Sequence, residues 1–272
     1  MAGCARPYTA LMDLALAVVF GLIIGSFLNV VILRLPRGQS VSVPRSHCPQ
    51  CRRLIPWYDN IPLFSYLLLR GRCRFCQHRI AMRYPAVELA TGAAFSVFVS
   101  ALGPTLPAAK WCLFSALLIS LTVTDFEARI LPNELTLGGT AAGLIAAVFV
   151  PVPAETISLL VAPRFASITE AAFGAVIAGG SIWFVGWAYK KIRHREGMGF
   201  GDVKMIAMIG AFLGAPYALL AVTAGSLVGA IAGIAYISIA RKDASTYELP
   251  FGSFLGIAAL GVAVFVEALG AC

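Results

Sequence analysis

The sequence predicts an all-α polytopic membrane protein, with about eight transmembrane helices and one small polar domain between the first and the second. Three observations predict it. Of the 272 residues, 59% are apolar and only 12% are charged, whereas soluble domains average about 45–50% apolar and about 25% charged; the mean hydropathy is +0.84. The apolar residues gather in runs close to the roughly 20 residues that cross a bilayer core. One long interruption, residues 34–84, is instead rich in Arg, Cys and Pro. These features exclude a water-soluble enzyme, a disordered chain and a fibrous protein. The formal charge of +8 points to cytoplasmic loops and to anionic membrane lipids as partners, and not to nucleic acid. The expected division is residues 1–33 as the first transmembrane helix, 34–84 as a cytoplasmic domain, and 85–272 as a seven-helix membrane domain.

Taken in order, Leu11–Leu33 is the first apolar run. It is too long for the core of a signal peptide and no small-residue cleavage site follows it, so it is expected to be retained. Apolar runs return at about Ala86–Leu102, Ala108–Thr124, Leu135–Val150, Ala171–Tyr189, Val203–Leu213, Tyr217–Ala240 and Phe251–Leu269. The sixth of the eight is short and flanked by glycine, which suits a helix that lines a polar cavity at membrane depth. The 26 glycines allow close helix packing, and there is no internal repeat. If residues 34–84 are cytoplasmic, 18 of the 21 Lys and Arg lie inside, leaving Arg6, Lys110 and Arg164 outside. That asymmetry sets the orientation, with both termini on the exterior.

Within the polar domain, Cys48 and Cys51 form one C-x-x-C pair and Cys73 and Cys76 a second. Two thiolate pairs complete a tetrahedral zinc site. The 21 residues between the pairs lie one beyond the usual window. Two disulfides are the alternative, which a reducing cytosol disfavours. A domain of this size with few aliphatics needs a staple, so the Zn2+ is expected to be structural. His47 and His78 flank the ligands without joining them, and Cys4, Cys112 and Cys272 have no partner at useful spacing.

Ionisable side chains inside spans are costly and are functional suspects. Asp125 ends the third run and Asp202 opens the sixth; the expected topology puts both at the cytoplasmic edge, on different helices. Two convergent carboxyls cannot both ionise at low dielectric, so they share a proton. The ionised member then draws a proton from water while the protonated member polarises a carbonyl, which is aspartyl peptide hydrolysis. Gly199 and Gly201 would let the backbone bend and a substrate strand come close. Asp202 at a helix start gains from the amide dipoles, which leaves Asp125 as the holder of the shared proton. Lys204 lies on another helical face from Asp202 and would pair with lipid phosphate or tune the dyad. The alternative for either Asp is a plain helix N-cap.

The segment Gly197-Met198-Gly199-Phe200-Gly201-Asp202-Val203-Lys204 resembles the G-x-G-D-x-K signature of the bacterial type IV prepilin peptidases, in the GxGD group of intramembrane aspartyl proteases. Asp125 with Ile130-Leu131-Pro132-Asn133 is similar to the other catalytic segment, Asn133 standing where Asp is frequent. Gly25-Ser26-Phe27-Leu28-Asn29, the four cysteines, Asn60-Ile61-Pro62, Arg83-Tyr84-Pro85-Ala86-Val87-Glu88 and Leu249-Pro250-Phe251-Gly252 follow the family order. The resemblance implies a bifunctional enzyme of the bacterial inner membrane. It would cut the basic leader from type IV prepilins and type II secretion pseudopilins, then N-methylate the new terminus with S-adenosylmethionine; the tetracysteine domain marks the bifunctional members. Glu88 is a candidate for methyl-donor binding, or else a structural partner. Glu127, Glu134 and Glu196 are candidates to receive the basic leader, because residues 34–84 carry ten Arg against the single acid Asp59. The competing readings are a peptidase without methylation, a proton- or cation-coupled transporter using the same aspartates, and a zinc-dependent scaffold without catalysis. A metalloprotease is disfavoured, because none of the three histidines forms an H-E-x-x-H helix.

Overall fold

The computed structural model describes residues 7–154, 156–157, 162–194, 199–240 and 249–270. Cys4, Gly197, Met198, Glu196 and Cys272 therefore lie outside the described residues. The described residues form nine α-helices: α1 (Pro7–Arg34), α2 (Phe64–Leu68), α3 (Arg83–Leu102), α4 (Leu106–Ala128), α5 (Asn133–Phe149), α6 (Pro163–Arg193), α7 (Phe200–Leu213), α8 (Ala215–Ala240) and α9 (Phe251–Gly270). Among the described residues there are no strands, only isolated bridges. Setting aside the five-residue α2, eight helices stand where the apolar runs lie. Six of them are long and apolar enough to cross a membrane, which makes this a multi-pass membrane protein. The exceptions are α5 and α7. At about 1.5 Å per residue, the 14 residues of α7 reach about 21 Å, short of a bilayer core of about 30 Å.

The chain divides into two compact units, Met1–Ser120 and Leu121–Cys272, with the boundary inside α4. In the first unit α1 pairs with α3. Their backbones touch because the seam is small: a Cβ on Gly25 would lie 2.7 Å from Glu88 Cα, and one on Gly21 2.8 Å from Gly92 Cα. Without a hydrophobic drive between helices in lipid, such close approach is what holds them together.

In the second unit α7 packs against α5, α6, α8 and α9. Met205, Ile206, Met208, Ile209, Ala211, Phe212 and Leu213 are each 0% exposed. A helix apolar on every face is a buried helix, and here the fourteen-residue helix is enclosed by longer neighbours. Gly174 on α6 and Gly210 on α7 meet backbone to backbone, leaving no room for a Cβ on either. Leu255, Ala259 and Ala263 form the buried stripe of α9, at the four-residue spacing of one helical face.

Candidate functional site

On α4 the buried residues Trp111, Phe114, Leu118 and Leu121 recur at the three- and four-residue spacing of an inward stripe. Asp125 is the next position on that stripe and is only 6% exposed. It sits four residues before Arg129, whose amide bonds to the Asp125 carbonyl (2.9 Å) as α4 ends. Asp202 lies in the first turn of α7, and its amide donates to the Gly199 carbonyl oxygen (3.1 Å). The cap position of α7 is Gly199, with no side-chain cap bond. Neither aspartate is a helix N-cap.

Asp125 and Asp202 interact electrostatically, and Leu131 stands beside both Gly201 and Gly252. A Cβ added to Gly201 would lie 3.2 Å from Leu131 Cβ, and one on Gly252 would lie 3.3 Å from Leu131 Cδ1 and 3.1 Å from both Cγ and Oδ2 of Asp125. Glycine at 252 lets the start of α9 rest directly on the Asp125 carboxyl. Ser253 then donates to Asp125 Oδ2 from its amide (2.7 Å), and its hydroxyl lies 2.9 Å from the same oxygen. Sequence reasoning noted Leu249–Gly252 but passed over Ser253. The only signal was a hydroxyl one residue past that motif, and serine in a first helical turn ordinarily caps its own helix.

Lys204 Nζ donates to Asn133 Oδ1 at 2.7 Å and lies over the Phe200 ring, 4.8 Å from its centroid. Its partner is therefore an amide at the start of α5. That bond ties α7 to α5.

The four cysteines meet in the first unit, their sulfurs all within 4.8 Å of one another and none in a disulfide. Each pair lies in its own turn, closed by the bridges His47–Leu54 and Arg72–Arg79. The turns repeat one another: Cys48 N bonds to Arg53 O (3.0 Å) and Cys73 N to His78 O (2.8 Å). The residue after each second cysteine, Arg52 and Gln77, has positive φ (56° and 58°). Four sulfurs about 2.3 Å from one zinc would stand about 3.8 Å apart, and Cys48 Sγ and Cys76 Sγ are 3.7 Å apart. Amide hydrogen bonds, first that of Cys76, hold the Cys73 thiol down to about 7. Cys76 is pushed up to about 11: the His78 amide lowers it, but desolvation and the other three thiols raise it. A central cation would favour the thiolate form of all four.

Glu88 Oε2 accepts from the amide of Leu63 (2.8 Å), and the Ser26 side chain also bonds to the carboxylate. The Leu63 backbone has φ 58°, a conformation that is costly for leucine. The carboxylate thus pins a strained turn of the polar segment to α3. Ser26 and Pro62 border a cleft of about 780 Å3 whose wall also includes Arg45, Trp57 and Asn60.

Buried helices around an acidic pair, with a four-cysteine cluster between the first two long helices, define a multi-pass helical membrane protein carrying a cluster that could hold a metal ion. Residues 19–102 match the Bacterial Peptidase A24 N-terminal domain, and residues 112–234 match the Type IV leader peptidase family. The chain is similar to a prepilin leader peptidase/N-methyltransferase of Pseudomonas aeruginosa, at 35% identity over 264 residues, covering 89% of this chain and 86% of the relative. A protein of the same name from Aeromonas hydrophila is 36% identical over 268 residues, covering 90% and 88%. One from Burkholderia pseudomallei is 34% identical over 275 residues, covering 90% and 82%. No solved structure matches the chain. The chain belongs to the type IV leader peptidase family.

Proposed function

We propose that the protein cleaves the basic leader of type IV prepilins and type II secretion pseudopilins and then N-methylates the exposed residue. Asp125 and Asp202 are the catalytic pair. The observation that carries this reading is the pair of acidic groups from two helices within electrostatic reach, one of them inside a buried stripe where a lone carboxylate would be penalised. One carboxylate takes a proton from water; the other, protonated, polarises the scissile carbonyl. Gly199 and Gly201 leave the approach to Asp202 narrow in side chains, and Lys204 braces α7 through Asn133. A midplane transporter site would need access from both faces. These aspartates instead lie near one end of their helices, the end that 18 of 21 basic residues mark as cytoplasmic. That supports a location in the bacterial inner membrane with residues 34–84 in the cytosol. Glu127 and Glu134, on the same side, receive the basic leader, while the arginines of residues 34–84 meet anionic lipid.

Cys48, Cys51, Cys73 and Cys76 would hold one structural Zn2+, whose charge permits four thiolates to share a small volume. The methyl donor is S-adenosylmethionine, which supplies the methyl group. A cleft of about 780 Å3 is within the usual range for small-molecule sites. Trp57, Asn60 and Arg45 offer an aromatic face, an amide and a cation suited to adenine, ribose and carboxylate. Glu88 serves that site by fixing Ser26 and the turn at Leu63.

The test is leader removal from a prepilin in membranes carrying Asp125→Asn or Asp202→Asn. Both variants are expected to be inactive while retaining their metal and their thermal stability. Cleavage near the wild-type rate by either would exclude the dyad.

A further inference from the structure

Ser253, the third residue of α9, approaches the same oxygen of Asp125 twice. Its amide N–H donates to Oδ2 at 2.7 Å, and its Oγ lies 2.9 Å from Oδ2. That Oγ also lies 3.0 Å from the carbonyl oxygen of Thr122, nearly one turn earlier on α4. A hydroxyl carries one hydrogen, and a carbonyl oxygen can only accept. The Ser253 hydroxyl therefore cannot donate to both, and which one receives its hydrogen depends on the state of the carboxyl.

We propose that Ser253 is a positioning residue whose hydroxyl reverses its hydrogen bonding as Asp125 gains and loses a proton. With Asp125 ionised, Oγ–H donates to Oδ2 beside the amide N–H. With the proton on Oδ2, that O–H donates to Oγ, and the Ser253 hydrogen rotates to the Thr122 carbonyl. The amide bond persists in both states, no heavy atom moves, and the only proton exchanged is the carboxyl's own. The buried carboxyl stays fully partnered on this side in either state, so neither suffers the penalty of an orphaned polar group. Aspartyl hydrolysis needs each carboxyl to pass between its two states within a turnover, and a partner able to serve only one would slow the return. Oδ1 is left for water and for Asp202.

The proposal rests on the reading of Asp125 as catalytic. Among the described residues, the charged groups that interact with Asp125 are Asp202 from α7 and Arg129 beyond the end of α4. Lys204 of α7 is engaged by Asn133, and α9 brings no ionisable side chain near, Glu267 standing at its opposite end.

The experiment compares Ser253→Ala, Ser253→Thr and Asp125→Asn in the full-length protein reconstituted in vesicles. Initial rates of leader removal are read across pH, with methyl transfer to a pre-cleaved pilin terminus as the control for intact structure. Ser253→Ala is expected to cleave about tenfold more slowly, with a pH profile altered from the wild type's because both states of the carboxyl have lost a partner. Ser253→Thr should restore both rate and profile, and methyl transfer should hold in all three. A Ser253→Ala variant with wild-type rate and profile would overturn the proposal. So would equal impairment of Ala and Thr at an unmoved profile, which would mean packing alone. An active Asp125→Asn would bring down the dyad and this role with it; an inactive one beside an unaltered Ser253→Ala brings down only the hydroxyl's role.

Discussion

Gly252→Ala tests whether the start of α9 fixes the Asp125 carboxyl, the proposed reacting group. The added Cβ would stand 3.1 Å from both Cγ and Oδ2 of Asp125 and 3.3 Å from Leu131 Cδ1, where ordinary contact begins at 3.4 Å. The carboxyl must therefore yield by at least a few tenths of an ångström, since Leu131 closes the other way out. A misplacement of about 1 Å costs roughly 100-fold in rate, so a shift of about half that should cost about tenfold, or about 1.4 kcal/mol of barrier. Stability should barely fall, because alanine gains about 0.5–1 kcal/mol over glycine within a helix, which offsets the local strain. The assay is the initial rate of leader removal by purified protein in vesicles, beside the thermal midpoint of each variant. Gly138→Ala is the control, since a Cβ there meets nothing within 4 Å; it should cleave normally and melt slightly higher. A Gly252→Ala variant that cleaves as fast as the wild type would refute the placement of α9 on Asp125. A loss of cleavage matched by a loss of fold would refute the local account.

Two further outcomes follow from the packing and the thiol cluster. Gly174→Ala forces a methyl group onto the Gly210 carbonyl and to within 2.8 Å of Gly214 Cα. Neither is the movable end of a side chain, so a cost of about 3 kcal/mol should appear as a clear fall in melting temperature; an unchanged midpoint would contradict the α6–α7 contact. Cys73→Ser should lower zinc from about one ion per chain to near zero and reduce methyl transfer; elemental analysis showing full metal in the variant would dismiss the four-thiolate site.

The order of the membrane helices, the polar interruption and the tetracysteine spacing were legible in the sequence, because each depends on local quantities. Whether a segment of some twenty residues favours lipid is a sum over those residues. The C-x-x-C turns are short enough to bring two thiols together on their own. Asp125 and Asp202 could be singled out for the same reason, as charges in apolar runs.

What surrounds those charges was decided by the tertiary structure. Ser253 is 128 positions from Asp125 and Asn133 is 71 from Lys204, and nothing in either local pattern names the other. The burial of α7 beyond its first turn depends on four neighbouring helices, and the engagement of Glu88 by Leu63 on a turn closed 25 residues away. Transfer free energy accumulates along the chain, so a sequence displays it directly. A hydrogen-bond partner is a matter of position to within a few tenths of an ångström, and that is set only when glycine-lined helices close on one another.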